Sequence, residues 1–268
     1  MQALWFVGSW LVIVAATVCG YLAARRWGRR ALGVSIGLCV AVILARGFCL
    51  FFPDIEYRLL PYDWYADVRL ILAFPVASLF LGTAIPLVQT RAVRLLALAL
   101  ALFIPLFEGL LVVVTLRMDH ARLTGRPGTD GVVLQSSPYS CGAAAAATFL
   151  NRIGVPCDER RMAELCQTNA MTGTDLFLVC RGLRRALAGK GLRVGLVRAG
   201  WEELRQTPLP ALATVRLSWR IDHWVVVLAV GPDAVTVGDP LRGLRTLSRR
   251  AFLEDWRGVL VTVTPPAP

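Results

Sequence analysis

Long apolar runs dominate the first 118 residues of this 268-residue chain. The four runs cover about residues 3–24, 31–52, 68–88 and 93–116. Each holds roughly the 20 residues that an α-helix needs to cross a bilayer core about 30 Å thick. The pattern therefore predicts a membrane region of four transmembrane helices in residues 1–118. A cleaved signal peptide is the weaker interpretation of the first run, because arginines follow this run and no basic residue precedes it.

Beyond residue 118 the hydrophobic positions follow the shorter patterns of a globular domain. The turn-rich residues 119–129 are predicted to be a linker, and residues 130–268 one folded domain. Helical patterns come first and strand patterns follow, with helices at 142–153, 159–166 and 175–188 and strands at 193–197, 210–215, 224–230, 234–237 and 259–263. Gly231-Pro232-Asp233 separates two of these strands as a hairpin turn. Helices followed by an antiparallel sheet predict an α+β domain.

Arginine placement predicts the orientation of the four helices. The loop after the first run carries four arginines, the loop after the second is acidic on balance, and the short third loop carries two arginines. Since cytoplasmic loops hold the excess of Lys and Arg, the first and third loops are placed in the cytoplasm. This predicts a multi-pass protein of the cell (inner) membrane with an extracytoplasmic, periplasmic C-terminal domain. Arg117, Arg122 and Arg126 favour the opposite orientation more weakly.

The net charge of +11 changes this picture little. The arginines flank apolar runs or are scattered, without a basic run interleaved with aromatics, so a lipid bilayer is the expected partner and nucleic acid is not. The 7 cysteines include no CxxC pair and no His/Cys cluster, so the sequence predicts no metal and no other cofactor. Cys157, Cys166 and Cys180 are compatible with a disulfide or with reduced thiols, and the sequence leaves both open.

The strongest chemical signal is a glutamine six positions before a cysteine. Cys141 opens the alanine-rich helical pattern, so it is predicted to lie at a helix N-terminus. Unpaired N–H groups and the helix dipole favour a thiolate there, and a thiolate is the nucleophile of cysteine hydrolases. The side-chain amide of Gln135, with the backbone N–H of Cys141, can stabilise a negative charge that develops on a carbonyl oxygen.

A histidine and an aspartate complete the pattern. His223 begins one strand of the predicted hairpin and Asp239 ends the next, at nearly equal distances from the turn, so their side chains are expected to be neighbours. A carboxylate beside an imidazole fixes its tautomer and stabilises the imidazolium. Asp222 is a poorer candidate because its side chain is expected on the opposite face of the strand. His120, just after the fourth run, is interpreted as an interfacial residue.

These residues together resemble the C39 peptidase family. The resemblance rests on Gln135-x5-Cys141-Gly142, on His223 followed by Trp224 and three valines, and on Asp239-Pro240 with Gly243 nearby. C39 peptidases are papain-like cysteine proteases that include the leader-removing domains of bacteriocin-exporting ABC transporters. The resemblance, over about residues 130–264, implies a papain-like domain. It also implies Cys141 as nucleophile, His223 as general base and acid, Asp239 as orienting carboxylate and Gln135 as oxyanion-hole residue.

The chain departs from those transporters, because it contains no Walker A sequence and its apolar runs precede the domain. The leading hypothesis is a membrane-anchored cysteine protease that cleaves a secreted or membrane-delivered polypeptide, with cleavage after a double-glycine leader as one option. A secretion or export system is then a candidate partner. The alternatives are a noncatalytic leader-peptide-binding accessory of a secretion system and an amide hydrolase acting on another substrate.

Overall fold

The computed structural model describes residues 2–69, 72–219 and 221–265, and the chain divides into two compact units. The first unit comprises the chain up to Phe52 together with Trp64–Leu116, and the second comprises Pro53–Asp63 together with the chain from Arg117 onward. The N-terminal helices are α1 (Gln2–Trp27), α2 (Arg29–Phe51), α3 (Pro53–Leu59), α4 (Asp63–Val68), α5 (Phe74–Ala84) and α6 (Arg91–Leu116). Pro53–Asp63 therefore belongs with the C-terminal domain, although it follows the second apolar run.

Among the described residues, three helices are long and apolar enough to cross a membrane. Their candidate spans are Gly8–Trp27, Arg29–Phe51 and Arg91–Leu111. The prediction of a third full-length helix at about 68–88 is corrected, because α5 has only 11 residues. Pro75 lies in the first turn of α5 and Pro86 comes directly after the C-cap residue, Ile85. A proline readily starts a helix but does not continue one, so the two prolines limit α5 at both ends.

Glycines bring α1 and α5 into backbone contact within the first unit. A Cβ atom added at Gly82 would collide with the backbone of Thr17, and one added at Gly20 would collide with the backbone of Leu79. Small residues that let helix backbones approach closely are typical of membrane helix packing, where lipid offers no hydrophobic drive for association. The short helix α5 is therefore a packed part of the first unit.

The second unit is an α+β domain built on one antiparallel sheet, as predicted. Its helices are α7 (Cys141–Arg152), α8 (Glu159–Cys166), α9 (Leu176–Ala186), α10 (Trp201–Gln206) and α11 (Arg249–Asp255). Its strands are β1 (Arg193–Arg198), β2 (Ala211–Ser218), β3 (Ile221–Val230), β4 (Ala234–Asp239), β5 (Gly243–Ser248) and β6 (Trp256–Thr264). The strand order is β1-β6-β2-β3-β4-β5, and every neighbouring pair is antiparallel. Apolar residues of the central strands pack with Trp201, Leu204 and Phe252 in a buried core.

Several parts of this unit differ from the sequence prediction. Strand β5 and helices α10 and α11 were outside the predicted elements, because β5 is an edge strand without a buried run and both helices have fewer than eight residues. The predicted linker, 119–129, is packed into the unit. Leu123 is only 2% exposed, and the Thr124 N–H donates to Ser136 Oγ at 3.1 Å.

The segment Pro53–Asp63 attaches to α9 and β1. The Tyr57 ring lies against Phe177 with 5.6 Å between centroids, and the Tyr57 hydroxyl lies 3.4 Å from the carbonyl oxygen of Val194. Arg184 of α9 donates to both the Tyr57 hydroxyl and the Asp63 carboxylate. One arginine thus joins two residues of the segment to the C-terminal part of the chain.

Candidate active site

His223 and Asp239 meet on one face of the sheet. Val226 of β3 faces Gly238 of β4, so His223 and Asp239 are diagonal neighbours on these strands. His223 Nε2 lies 2.8 Å from Asp239 Oδ1, which also accepts the Leu241 N–H at 2.9 Å. Both side chains of the pair are almost completely buried. The predicted contact between imidazole and carboxylate is therefore present.

The surroundings of this pair set its charge. Burial lowers the pKa of His223, but hydrogen bonds to Asp239 and Cys141 outweigh burial and raise it to about 9. Burial likewise opposes ionisation of Asp239, yet the hydrogen bonds from His223 and the Leu241 N–H hold the pKa of that carboxyl below its usual value. An imidazolium beside a carboxylate is thus the favoured state at neutral pH.

Cys141 is the first residue of α7 and is half-buried. The five alanines that follow Gly142 are fully buried, and their small side chains let α7 lie close to the sheet. Because His223 Nε2 is engaged by Asp239, Nδ1 is the nitrogen left for the hydrogen bond to Cys141. The structure therefore brings Cys141, His223 and Asp239 together in that order.

Gly142 fixes the start of α7. A Cβ atom added there would lie 2.8 Å from Thr174 Cβ and 3.0 Å from Trp224 Cδ1. Trp224 is itself held by a 3.0 Å hydrogen bond from its Nε1 to the Thr174 carbonyl oxygen. The loop before α9 and the strand that carries His223 thus both contact the residue next to Cys141, which explains why a glycine is needed here.

Gln135 is tethered to the turn that follows Asp239. Its backbone N–H donates to the carbonyl oxygen of Pro240 at 2.9 Å, and its side-chain Nε2 donates to the carbonyl oxygen of Ser137 at 2.7 Å. An amide nitrogen carries two hydrogens, so one remains for a second acceptor. Gln135 therefore lies in the loop that leads to Cys141 and is held against the turn that follows Asp239.

Asp130, which the sequence analysis missed, joins the start of the domain to the beginning of β5. Its carboxylate accepts the Val132 N–H at 3.0 Å and the Leu244 N–H at 2.8 Å, and these hydrogen bonds hold the pKa of Asp130 below its usual value. Gly243 has φ of 75°, and a Cβ atom there would lie 2.9 Å from Asp130 Oδ2. The glycine after Asp239-Pro240 was the signal for this clamp, because it marks a turn that another group approaches closely.

Positive charge surrounds one side of the His223–Asp239 pair. A cavity of about 200 Å³ lies there, with Arg216, Arg242 and Arg245 among its lining residues. Arg245 Nη1 is 3.5 Å from Asp239 Oδ2, and Arg216 is paired with Asp255 at 3.0 Å. Nearby guanidinium groups favour the ionised form of a carboxylate. Within the part of the chain that the structure describes, no group of three or more His, Cys, Asp or Glu side chains could hold a metal ion.

The alternative candidates are occupied elsewhere. Asp222 is exposed and accepts a 2.8 Å hydrogen bond from Arg257 Nε. His120, interpreted from sequence as interfacial, belongs to the second unit, and its Nε2 lies 2.8 Å from the carbonyl oxygen of Thr168.

The cysteines whose pairing the sequence left open are free thiols. Cys157, Cys166 and Cys180 form no disulfide in the structure. Burial raises the pKa of Cys157 to about 11 and that of Cys180 to about 12, and it raises the pKa of Cys166 as well. These thiols are therefore protonated at neutral pH and poorly nucleophilic.

Comparison with known proteins was made for the sequence and for the structure. The family model described as the Peptidase C39 family matches residues 130–267. An uncharacterized protein of Methanothermobacter thermautotrophicus is 33% identical over 139 residues, which are 52% of this chain and 92% of that protein. The probable functional amyloid protease FapD of Pseudomonas fluorescens is 31% identical over 136 residues, or 49% of this chain and 59% of FapD.

Two further proteins are more distant. The lactococcin-G-processing and transport ATP-binding protein LagD of Lactococcus lactis is 29% identical over 139 residues, which cover 51% of this chain and 19% of LagD. The crystal structure of the peptidase domain of Streptococcus ComA is 20% identical, with a TM-score of 0.45, and the match covers 50% of this chain and 96% of that domain.

Proposed function

The chain belongs to the peptidase C39 family, and on this premise we propose that it is a membrane-anchored cysteine peptidase whose nucleophile is Cys141. The observation that supports the proposal most is the position of His223, whose imidazole lies 2.8 Å from the Asp239 carboxylate and whose pKa is raised by its interactions with Asp239 and Cys141. A binding domain has no need for a thiol, an imidazole and a carboxylate arranged in this order. The order is the one that nucleophilic catalysis by cysteine requires.

In the acylation step the Cys141 thiolate attacks the carbonyl carbon of a peptide bond. The C–S bond forms, and the negative charge moves to the carbonyl oxygen. The backbone N–H of Cys141 and the free hydrogen of Gln135 Nε2 are the proposed donors to this oxyanion. His223 then gives its proton to the leaving nitrogen, the C–N bond breaks, and the new amino terminus departs. Asp239 keeps the imidazole oriented throughout.

Deacylation reverses these roles. Neutral His223 takes a proton from a water molecule, and the resulting hydroxide attacks the acyl carbon. The C–S bond then breaks to release the carboxylic acid product, and Cys141 leaves as the thiolate beside the protonated His223. Both steps pass through an oxyanion at the same place, so one pair of donors serves both.

The proposed substrate is a polypeptide that reaches the membrane, with two glycines before the cleaved bond as the first sequence to test. LagD is named for processing and transport of lactococcin G, and FapD is named as a probable functional amyloid protease, so two relatives of this domain are named for processing or proteolysis. A secretion or export system is the proposed partner that delivers the substrate. The family relation covers residues 130–267, which form the C-terminal half of the chain.

The test uses the purified full chain and a set of quenched fluorescent peptides with and without Gly-Gly before a unique cleavable bond. We expect cleavage by the wild type, and a loss of roughly 10⁴-fold or more in Cys141→Ala, because the nucleophile is gone. Cys157→Ser is the matched control, since it removes a thiol outside the site. Equal product profiles for the wild type and Cys141→Ala would refute the peptidase. Binding of a leader peptide without any cleavage would instead favour a noncatalytic accessory.

We further propose that the peptidase unit lies outside the cytoplasm. The four arginines between the first two apolar runs favour a cytoplasmic loop there, so α2 leads outward to Pro53–Asp63. Pro53–Asp63 folds with the C-terminal chain through Tyr57, Asp63 and Arg184. Because one folded polar unit occupies one side of a bilayer, the whole unit shares the side of this segment.

The composition of the second unit favours an even number of membrane crossings between Asp63 and Arg117. The chain leaves the second unit after Asp63 and returns to it at Arg117. Helix α6 contains the candidate span Arg91–Leu111, so the segment around α5 is the proposed second crossing. Helix α5 alone is about 16 Å long at ~1.5 Å per residue, which is shorter than a bilayer core of about 30 Å, so the proposed crossing needs flanking residues as well. Four crossings are thus retained without four long helices.

A membrane-impermeant maleimide tests this topology in intact cells. Leu59→Cys and Lys190→Cys probe the two parts of the second unit, and Arg30→Cys probes the arginine loop, with each labelled position located by mass spectrometry. We expect Leu59→Cys and Lys190→Cys to react in intact cells, and Arg30→Cys only after permeabilisation. Labelling of Leu59→Cys without Lys190→Cys would contradict the even number of crossings. Labelling of Arg30→Cys alone would reverse the orientation.

A further inference from the structure

Glu159 is a buried carboxylate that the proposed reaction does not use. It is 0% exposed and lies in the first turn of α8. A buried carboxylate costs several kcal/mol of desolvation unless hydrogen bonds compensate for the lost water. The hydrogen-bond partners of Glu159 therefore identify the part of the chain that this buried carboxylate holds.

The Glu159 carboxylate accepts hydrogen bonds from three donors, two of them on Ser136, the residue after Gln135, and one on Gly125. Its Oε1 accepts the backbone N–H of Ser136 at 2.8 Å, and its Oε2 accepts the Ser136 hydroxyl at 2.5 Å. Oε2 also accepts the Gly125 N–H at 2.8 Å. A carboxylate is the one side-chain group that accepts at both oxygens without donating, so it fits three donors. A glutamine here would turn an NH₂ group toward at least one N–H.

These contacts fix the peptide group between Gln135 and Ser136. The Gln135 N–H is held by the Pro240 carbonyl oxygen on one side, and the Ser136 N–H is held by Glu159 on the other. The backbone is thus fixed immediately before and after the Cα atom from which the Gln135 side chain projects. Since an oxyanion donor must lie within a few tenths of an ångström of its best position, this restraint bears directly on its effect.

A close approach at Gly125 supports the same conclusion. A Cβ atom added at Gly125 would lie 2.7 Å from Glu159 Oε2, and it would also collide with the carbonyl oxygen of Leu134. The backbone at Gly125 therefore leaves room for the Glu159 carboxylate. The Glu159 N–H lies 3.4 Å from the Gly125 carbonyl oxygen, so the two residues contact each other twice.

We infer that Glu159 is a positioning residue, which holds the Gln135–Ser136 peptide so that the Gln135 amide can donate to the oxyanion. This inference rests on the proposed peptidase function. It assigns no contact with substrate to Glu159, whose effect passes entirely through Ser136. The variant Glu159→Gln should therefore weaken oxyanion stabilisation and leave the Cys141–His223–Asp239 cluster intact.

Two reagents separate these effects in the purified full chain. p-Nitrophenyl acetate acylates Cys141 through a tetrahedral oxyanion, with release of p-nitrophenolate. Iodoacetamide alkylates the same sulfur by displacing iodide from a methylene carbon, and no oxyanion forms. The difference between wild type and Cys141→Ala gives the part of each rate that belongs to Cys141. A residue that only supported the fold would alter both rates together.

We expect Glu159→Gln to lower the acylation rate about tenfold, since loss of a whole oxyanion donor costs about 10²–10³-fold, with alkylation changed by less than about twofold. On a profile of acylation rate against pH, the maximum rate should fall, and the pH values of half-maximal rate should not change. Glu164→Gln is the matched control, because Glu164 lies on the same helix but pairs with Arg160 on the surface. It should leave both rates at the wild-type value.

The double variant tests the route through Gln135. In a Gln135→Ala background, Glu159→Gln should cause no more than about a twofold further loss of acylation, because the group it positions is absent. Ser136→Ala is a milder change, because it removes only one of the three donors. Its acylation rate should lie between the rates of the wild type and of Glu159→Gln. Additive losses in the double variant, or equal losses with both reagents, would overturn the inference. Absence of Cys141-dependent acylation in the wild type would instead remove the proposed function and the inference with it.

Discussion

Two charged clusters of the second unit use an aspartate in different ways. In the proposed catalytic cluster (Cys141, His223 and Asp239; below, the catalytic cluster) the Asp239 carboxylate holds a histidine. In the attachment cluster (Tyr57, Asp63 and Arg184) the Asp63 carboxylate holds an arginine. The side chains of His223 and Asp239 are 4% and 7% exposed, whereas those of Arg184 and Asp63 are 26% and 43% exposed. The first pair is therefore almost completely buried, whereas solvent reaches the side chains of the second pair.

The difference teaches what each aspartate does. An imidazole can give up its proton near neutral pH, so the buried Asp239 can tune a proton transfer. A guanidinium keeps its proton, so Asp63 can only hold a part of the chain in place. The catalytic cluster is therefore expected to control rate, and the attachment cluster stability. Variants in each cluster test this division.

Replacement of Asp239 is expected to have the largest effect. Asp239→Ala should lower kcat/KM by about 10³-fold or more, since the imidazole loses its orienting partner. Asp239→Asn keeps an acceptor for Nε2–H but removes the charge, so it should recover part of the rate. Its imidazolium should lose its proton at a lower pH than in the wild type, where the pKa of His223 is raised to about 9. The pH dependence of kcat/KM measures both changes.

The sign of this pH effect follows from the direction of the shift. The raised pKa of His223 stabilises the folded unit fully below its ordinary value of 6.5, and the contribution is lost as pH rises through about 9. In Asp239→Asn the high-pH fall in activity should therefore begin earlier. An unchanged high-pH limb would mean that Asp239 does not set the proton affinity of His223.

Gly142→Ala is expected to have the next largest effect on rate. The new Cβ atom would press against Thr174 and Trp224, so the start of α7 must shift. A displacement of Cys141 by about 1 Å is expected to cost around 10²-fold in rate, and the overpacking about 1–3 kcal/mol in stability. Iodoacetamide labelling of Cys141 and urea unfolding measure the two losses. Wild-type values for both would show that the loop before α9 yields freely.

The sequence predicted the helix and the strands that carry the proposed catalytic residues, because each of these elements follows from a local rule. A helix is marked by the alanine-rich run that Cys141 opens, and a hairpin by Gly231-Pro232-Asp233. Once the hairpin is known, the positions of His223 and Asp239 follow from the alternation of side chains along strands. The helix at 159–166 was also predicted with the bounds that the structure has.

The attachment cluster could not be predicted in this way. Arg184 and Asp63 are separated by 121 residues and by an apolar run, and neither has a neighbour that marks it as paired. Glu159 poses the same problem, because a glutamate in the first turn of a short helix is normally a solvated residue. The extent of α5 depended on how Pro75 and Pro86 limit a helix within an apolar run, which hydropathy alone does not reveal.

Arg184→Ala tests the attachment cluster and is expected to change stability rather than rate. Loss of the hydrogen bonds to Tyr57 and Asp63 should cost about 1–2 kcal/mol, at the lower end for a charged group because solvent reaches Asp63. Cys180 is fully buried, so its pulsed alkylation in urea reports unfolding of this unit. Arg160→Ala, which breaks an exposed pair with Glu164 on α8, is the matched control and should cost less than about 0.5 kcal/mol.

The pH dependence of the attachment cluster has the opposite sign to that of the catalytic cluster. Burial opposes ionisation of Asp63, but the hydrogen bond and charge of Arg184 outweigh it and hold the pKa of Asp63 below its ordinary value of 3.8. The stabilisation is therefore present above that value and disappears as pH falls below it. The stability difference between wild type and Arg184→Ala should shrink in this acidic range. Arg184 Cζ also lies 5.6 Å from the centroid of the Tyr57 ring. A stability difference that is independent of pH would assign the loss to this contact.

The smallest effect is expected at Cys157, which separates the presence of a thiol from its activation. Burial and then the charge of Asp158 raise the pKa of Cys157 to about 11, and its Sγ lies 3.6 Å from the Asp158 carbonyl oxygen. Cys157→Ser should change kcat/KM by less than about twofold and stability by less than about 0.5 kcal/mol. Iodoacetamide at neutral pH should label Cys141 about 10²-fold faster than Cys157, because only Cys141 lies beside an imidazolium. Comparable labelling rates would contradict the proposed role of the His223–Asp239 pair, since a thiol without such a neighbour would then react as fast as Cys141.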